Sequence, residues 1–299
     1  MASQARQCGH VAIVGRPNVG KSTLLNKFLG VHLAATANKP QTTRNRILGI
    51  LGGEDIQIVF VDTPGIHRQE KRLLNKKLNR AAYASIYGND LILFVVEAGR
   101  WTDEDEMVLK KLQDVKAPVL LVINKEDVLK SKEELLPYIQ EVSQHYDFCG
   151  VVPVSAFKEK SVDYLLERIV TFIPEAEFLY PEATLTDRPM QFHSAELVRE
   201  QLIQSLEQEL PHAIAVQVER YEDTGKRIEI NALILVERDG QKKIVIGKNG
   251  QVLKKVGTIA RRKIADLVDK PVHLELWVKV RSGWQDSEQL LKQFGVDQD

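Results

Sequence analysis

The octapeptide GRPNVGKS, Gly15 to Ser22, has the spacing Gly-x-x-x-x-Gly-Lys-Ser. That spacing is suited to holding phosphate. Gly15 and Gly20 let the backbone of Arg16, Pro17, Asn18 and Val19 curl so that N–H groups face an anion. A helix opening just after the loop adds its partial positive charge. Lys21 can reach the β- and γ-phosphates, and the Ser22 hydroxyl can ligate Mg2+.

Three further stretches complete a nucleotide site. In VDTPG, Asp62, Thr63, Pro64 and Gly65 end an apolar run. An acid there can hold Mg2+ through water, and the Gly65 N–H can report a γ-phosphate. In NKED, Asn124 and Lys125 precede Asp127, whose carboxylate can accept two hydrogen bonds from the N1–H and N2–H2 edge of guanine. Adenine lacks that donor pair, and a buried carboxylate left unpaired against it is costly. In VSA, a backbone N–H at Ser155 or Ala156 can meet guanine O6. These residues specify GTP over ATP. Between the first two motifs, Thr42 or Thr43 can close over Mg2+. Thr43 is favoured, although spacing does not separate adjacent hydroxyls. Ile66 stands where many GTPases place a water-orienting glutamine, so intrinsic hydrolysis is expected to be slow.

A second glycine device lies far along the chain. Gly247, Lys248, Asn249 and Gly250 form a Gly-x-x-Gly clip within a stretch that carries eight basic residues over 242–263 and no acid. Such a clip lets a single-stranded RNA backbone approach closely. Lys248, Lys254 and Lys255 add charge, and Arg261, Arg262 and Lys263 extend the basic stripe.

These residues need elements to position them. Apolar runs at 10–15, 56–65, 90–99, 117–125 and 149–156 alternate with helical patterns, the first being a helix over 22–30. Continuous apolar strands between helices indicate a mostly parallel sheet covered on both faces, the doubly wound α/β class. Residues 176–192, rich in proline and acid, are expected to be a linker between a nucleotide domain over 1–175 and a second domain over 193–299. In the second, a helix over 194–210 carries Leu197, Val198, Leu202, Ile203, Leu206 and Leu210 on one face. Strands over 213–221, 226–237 and 271–280 frame the clip and its helix in a small α+β fold. Strand 271–280 alternates, so Trp277 faces away from the core. It can stack on a base, but sealing the sheet against the neighbouring domain is the preferred reading. The sequence does not place Trp284.

Composition narrows the remaining choices. The formal net charge is zero, so any nucleic-acid signal must come from local clustering. Cys8 and Cys149 lack metal-ligand spacing, and both are expected to be reduced, with no disulfide partner. No apolar run approaches the roughly 18 residues of a membrane span.

With these motifs in this order, the chain resembles the Era family of bacterial GTPases over nearly its whole length. The resemblance is carried by GRPNVGKSTLLN, PQTTR, DTPG, NKED and VSA, then VIGKNGQVLKKVGTIAR and VHLELWVKVRSGW. It implies a P-loop GTPase domain followed by a type II KH domain. It also implies binding to GTP and GDP and to the 3′ end of small-subunit 16S rRNA, in support of 30S subunit maturation. Peripheral contact with the inner face of the cell membrane, from a cytoplasmic location, is implied as well. Asn18 matches an asparagine that in related GTPases helps hold K+.

Overall fold

The computed structural model describes residues 6–37, 39, 42–65, 73–129, 131–206 and 213–294. The chain forms two compact units. The first comprises Met1–Gly30, Thr43–Gln69 and Leu78–Asp187. The second comprises Val31–Thr42, Glu70–Lys77 and Arg188–Asp299.

In the first unit, strands β1 (Gln7–Val14), β2 (Ile47–Gly52), β3 (Ile56–Asp62), β4 (Leu91–Glu97), β5 (Val119–Asn124) and β6 (Gly150–Pro153) form one sheet. Its order is β2-β3-β1-β4-β5-β6, and only β2 runs antiparallel to its neighbour. Helices α1 (Lys21–Leu29), α3 (Asp103–Leu112), α4 (Leu135–Val142) and α5 (Glu159–Val170) belong to the same unit, whereas α2 (Leu73–Ala84) begins among residues of the second unit and ends in the first. Val108, Leu109 and Leu112 of α3 and Val142 of α4 pack with Ile92, Phe94, Leu121 and Ile123 of β4 and β5. Phe28 of α1 stacks on Phe60 of β3, ring centroids 4.7 Å apart. Each fully buried Leu, Ile or Phe contributes about 1.5–3 kcal/mol. This continuous burial explains why the parallel strands read as apolar runs. The expected doubly wound class is found, with β2 as an addition.

The segment after α5 is not loose. Gln57, on β3 and wholly buried, accepts from the backbone N–H groups of Leu179 and Tyr180, at 2.9 and 3.0 Å. It also donates to the Tyr180 carbonyl at 2.8 Å. Residues up to Asp187 therefore dock on the first unit.

The second unit contains α6 (Met190–Ser205), β7 (Ala215–Asp223), β8 (Ile228–Val236), α7 (Asp239–Ile246), α8 (Gln251–Val268), β9 (Val272–Val280) and α9 (Glu288–Gln293). The sheet runs β7-β8-β9, antiparallel then parallel. Leu197, Val198, Leu202 and Leu206 share its core with Val256, Ala260 and Ile264 of α8 and with Val272 and Val278 of β9. Leu210 lies outside the described residues. The single-face reading of α6 is incomplete, because Glu196, Arg199, Glu200 and Gln201 are buried too. Glu200 accepts from the Thr36 N–H and hydroxyl, at 3.0 and 2.9 Å, and from Lys263 Nζ at 3.0 Å. Trp284 is buried and donates to the Ala213 carbonyl at 3.3 Å. Trp277 stays 38% exposed, its N–H on Glu219 at 3.2 Å.

Candidate nucleotide and nucleic-acid sites

The phosphate loop joins β1 to α1. Gly20, at φ 104, caps α1 without a side chain, so the first-turn N–H groups remain available to an anion. A Cβ there would lie 2.2 Å from Asn124 Nδ2, so a side chain would be strained and would have to displace Asn124. Lys21 is buried and donates to the Gly15 and Arg16 carbonyls, both at 2.9 Å. Burial lowers its ammonium to about 8, although Asp62 opposes the shift. Burial likewise raises the Asp62 carboxyl to about 6, against Lys21 and the Ser22 hydroxyl. Both groups are short of compensating charge, which a polyphosphate with a divalent cation supplies.

Oxygen donors converge beside Lys21. Ser22 Oγ donates to Asp62 Oδ2 at 2.6 Å and lies 2.8 Å from Thr43 Oγ1. Asp62 Oδ1 is buried and has no hydrogen-bond partner. One carboxylate and two hydroxyls form a hard, all-oxygen set that suits Mg2+ completed by phosphate and water. Among the described residues, no cluster of three His, Cys, Asp or Glu side chains competes for a metal. Thr42 turns away, its hydroxyl on the Lys39 carbonyl at 2.7 Å. Thr63 Oγ1 donates to the Ile13 carbonyl at 3.1 Å. Gly65 lies tight against Pro17, where a Cβ would come within 2.8 Å of the Pro17 nitrogen. Ile66 lies outside the described residues.

The strand ends that carry NKED and VSA meet this loop through Asn124. Its Nδ2 donates to the Val19 carbonyl at 2.8 Å, and its Oδ1 accepts from the Ala156 N–H at 3.1 Å. One side chain thus ties three motifs together. Lys125 takes φ 65 and leads into the short turn Glu126–Val128. Asp127 is exposed on that turn, not buried as the discrimination argument assumed. Burial of its carboxylate must come with the base. Ser155 Oγ is buried without a partner at the same rim. Asn18 is exposed at φ 66.

Sequence reasoning missed the acids behind the loop. Arg16 donates from Nη2 to Glu97 Oε2 at 2.6 Å and from Nε to Asp105 Oδ2 at 3.1 Å. Glu97 Oε1 accepts from Lys125 Nζ at 3.0 Å. The available signal was an acid at the end of an apolar run, the same pattern that singled out Asp62.

In the second unit, α7 ends at Gly247, φ 75, where a Cβ would lie 2.5 Å from Val252 Cγ2. A tight turn over Lys248–Gly250 then starts α8. An open groove of about 410 Å³ follows, lined by Gly250, Leu253, Lys254, Gly257, Arg261 and Leu276 among others. Lys248, Asn249, Lys254, Lys255 and Arg261 are exposed, and among the described residues no carboxylate pairs with these four cations. Lys263 departs from the expected stripe, since Glu200 holds it inward. The geometry offers an apolar floor with glycine access and a charged rim, which suits a single strand of nucleic acid.

Comparisons with known proteins match both parts of the chain. Residues 10–125 match the family model described as 50S ribosome-binding GTPase, and residues 209–285 match that of the KH domain. GTPase Era of Glaesserella parasuis serovar 5 (strain SH0165) is 50% identical over 297 residues, covering 99% of each chain. GTPase Era of Ectopseudomonas mendocina (strain ymp) is 47% identical over 289 residues, covering 97% of each. The solved structure of Era in complex with MgGDPNP and nucleotides 1506–1542 of 16S ribosomal RNA matches with TM-score 0.92 and 37% identity. That match covers 97% of this chain and 99% of the other. A single-substitution variant of Aquifex aeolicus Era bound to GDP.AlF4− gives TM-score 0.91 at 37% identity, with the same coverage.

Proposed function

The chain belongs to the Era family of GTPases, and on that premise we propose that it is a slowly hydrolysing GTP switch. It grips the 3′ end of 16S rRNA and assists 30S subunit maturation. The observation that carries this reading is full-length likeness to a chain whose solved complex holds both MgGDPNP and nucleotides 1506–1542 of 16S rRNA.

In this reading, Gly15 to Ser22 grip the phosphates, with Lys21 leaving its two carbonyls for the β- and γ-oxygens. Ser22, Thr43 and Asp62 are the residues that would hold Mg2+. Its contact with Ser22 supports Thr43 over Thr42. Mg2+, when bound, neutralises charge that develops on the transferred phosphoryl group. Gly65 senses the γ-phosphate, with Asp62, Thr63 and Pro64 holding it in register. Asn124, Lys125, Asp127, Ser155 and Ala156 read guanine. Ile66 supplies no water-orienting amide, so hydrolysis is slow unless assisted, and Asn18 is the residue through which K+ would assist. Gly247, Lys248, Asn249, Gly250, Lys254, Lys255 and Arg261 bind RNA.

The same reading divides the chain into a nucleotide domain (1–175), a linker (176–192) and an RNA-binding domain (193–299). The first unit runs to Asp187 and α6 opens at Met190, so that helix begins inside the proposed linker. The reading also places the protein in the cytoplasm with peripheral contact at the inner face of the membrane. Among the described residues, no helix is long and apolar enough to cross one.

Crosslinking followed by sequencing of bound RNA, with GTP and with GDP, tests the function. Enrichment at the 16S 3′ terminus that depends on GTP is expected. Enrichment that ignores the nucleotide refutes the switch, and absence of that terminus refutes the RNA target.

A further inference from the structure

Two acids, Glu97 and Asp105, lie behind the nucleotide loop, and the phosphate, Mg2+ and guanine roles account for neither. Glu97 ends β4 and pairs in register with Asn124 of β5. Its two carboxylate oxygens point to different motifs, Oε2 to Arg16 of the phosphate loop and Oε1 to Lys125 of the base-reading turn. Arg16 is anchored on its far side by Asp105, which is wholly buried and accepts from the Thr102 hydroxyl at 2.7 Å. The Arg16 carbonyl in turn takes the ammonium of Lys21. Tyr138 Oη donates to the Glu97 carbonyl at 3.0 Å and fixes the strand end. A continuous chain of charge-assisted hydrogen bonds thus runs from Lys125 through Glu97 and Arg16 to Lys21.

We propose that Glu97 is a positioning residue, one carboxylate that holds Lys125 in place for guanine while it holds Arg16, and with it the phosphate loop, in place for the phosphates. This rests on the nucleotide assignments above and extends them to a residue that touches neither base nor phosphate. Lysine has high rotamer entropy, and holding its ammonium before the base arrives removes that cost from binding. Burial pushes the Glu97 carboxyl up, but the bonds from Arg16 and Lys125 outweigh it and hold the group below the usual carboxylate range. It is therefore ionised at neutral pH and able to serve both cations.

A purely structural role makes a different forecast. The Lys125–Glu97 pair is partly open to water, at 29% and 19% side-chain exposure, and pairs of that kind add little stability. Arg16 would keep Asp105 if Glu97 were lost. Removing the carboxylate should therefore disturb nucleotide binding far more than folding.

The test is a double-mutant cycle on the full-length chain. Dissociation constants for fluorescent GDP and melting temperatures would be measured for Glu97→Gln, Lys125→Met and the pair. Glu97→Gln is expected to weaken GDP binding about tenfold, the scale of one lost hydrogen bond between charged groups. Its melting temperature should stay close to that of the parent. The pair should bind GDP worse than Lys125→Met alone but better than the product of the two losses, because both substitutions break the Lys125 link whereas only Glu97→Gln disturbs the Arg16 link. Losses that simply multiply, or a Glu97→Gln variant with parental affinity, would overturn the proposal. A loss of affinity matched by a large fall in melting temperature would overturn it too. Lys21→Ala in the same assay separates the premise: if it also binds GDP normally, the phosphate site itself is wrong.

Discussion

The two glycine loops treat their cations in opposite ways. Around Gly15–Ser22, Arg16 and Lys21 are each 6% exposed and bonded to protein atoms on several sides. Around Gly247–Gly250, Lys248, Lys254, Lys255 and Arg261 stand in solvent with no carboxylate partner among the described residues. A small ligand engulfed in a dry pocket gains from charges fixed beforehand, where low dielectric strengthens each contact. A polymer crossing a surface gains from exposed charges, because binding releases counterions. Counting charges on a neutral chain would not distinguish these strategies, whereas burial and partners do.

The largest effect should come from the buried side. Lys21→Ala removes two bonds inside the loop and the ammonium placed for the phosphates, so GDP affinity should fall by roughly 100-fold or more. RNA binding by the same variant without nucleotide should be unchanged. Titration of fluorescent GDP and of a labelled 16S 3′-terminal oligonucleotide measures both, and parallel losses would erase the contrast between the loops. Next comes Gly247→Asp with Gly250→Asp. Both positions sit at positive φ, and a Cβ at Gly247 meets Val252, so the clip must deform as well as gain negative charge. Left-handed backbone costs a non-glycine residue about 1–2 kcal/mol, and repulsion adds to it. RNA affinity should drop by roughly 100-fold, while GTP hydrolysis stays within about twofold of the parent.

The sequence made one loop more legible than the other, for physical reasons. Parallel strands buried on both faces read as unbroken apolar runs, and the nucleotide motifs sit at their ends, so β1, β3, β4, β5 and β6 were all recognisable. Strand β2, ILGILG, escapes because it holds two glycines and follows a loop-like stretch. The spacing of NKED assigns Asn124 to guanine, yet its contacts tie three loops together, a role no linear spacing encodes. Glu97 and Lys125 lie 28 positions apart and meet only because β4 and β5 pair in register. In the second unit, the basic stripe was visible but its sidedness was not. The sequence places Lys263 beside Arg261 and Arg262, and only the packing of α6 on α8 reveals that it turns toward Glu200.

That misplaced lysine gives the finest test of the comparison, because Lys263 belongs to the exposed stripe by sequence and to the buried pattern by structure. Its ammonium lies 3.0 Å from Glu200, which is wholly buried and also takes His32 and Thr36. Burial pushes the Glu200 carboxyl up, but His32 and Lys263 outweigh it and hold it below the usual range. A depressed carboxylate adds stability that is present above the unfolded value, near about 4.3, and is lost as pH falls through the folded one. Lys263→Ala should therefore cost about 1–2 kcal/mol near pH 7, read by denaturant melts, with the deficit shrinking as the solution is acidified through that window. Its RNA affinity should stay within about twofold. Lys254→Ala should do the reverse, since its ammonium contacts no acid among the described residues: stability holds within about 0.5 kcal/mol. RNA affinity should fall only a few-fold, but the slope of log K against log salt should flatten by about 0.7, one phosphate's share on a single strand. If Lys263→Ala flattened that slope as much as Lys254→Ala, partner and burial would not be what separates an RNA-gripping lysine from a structural one.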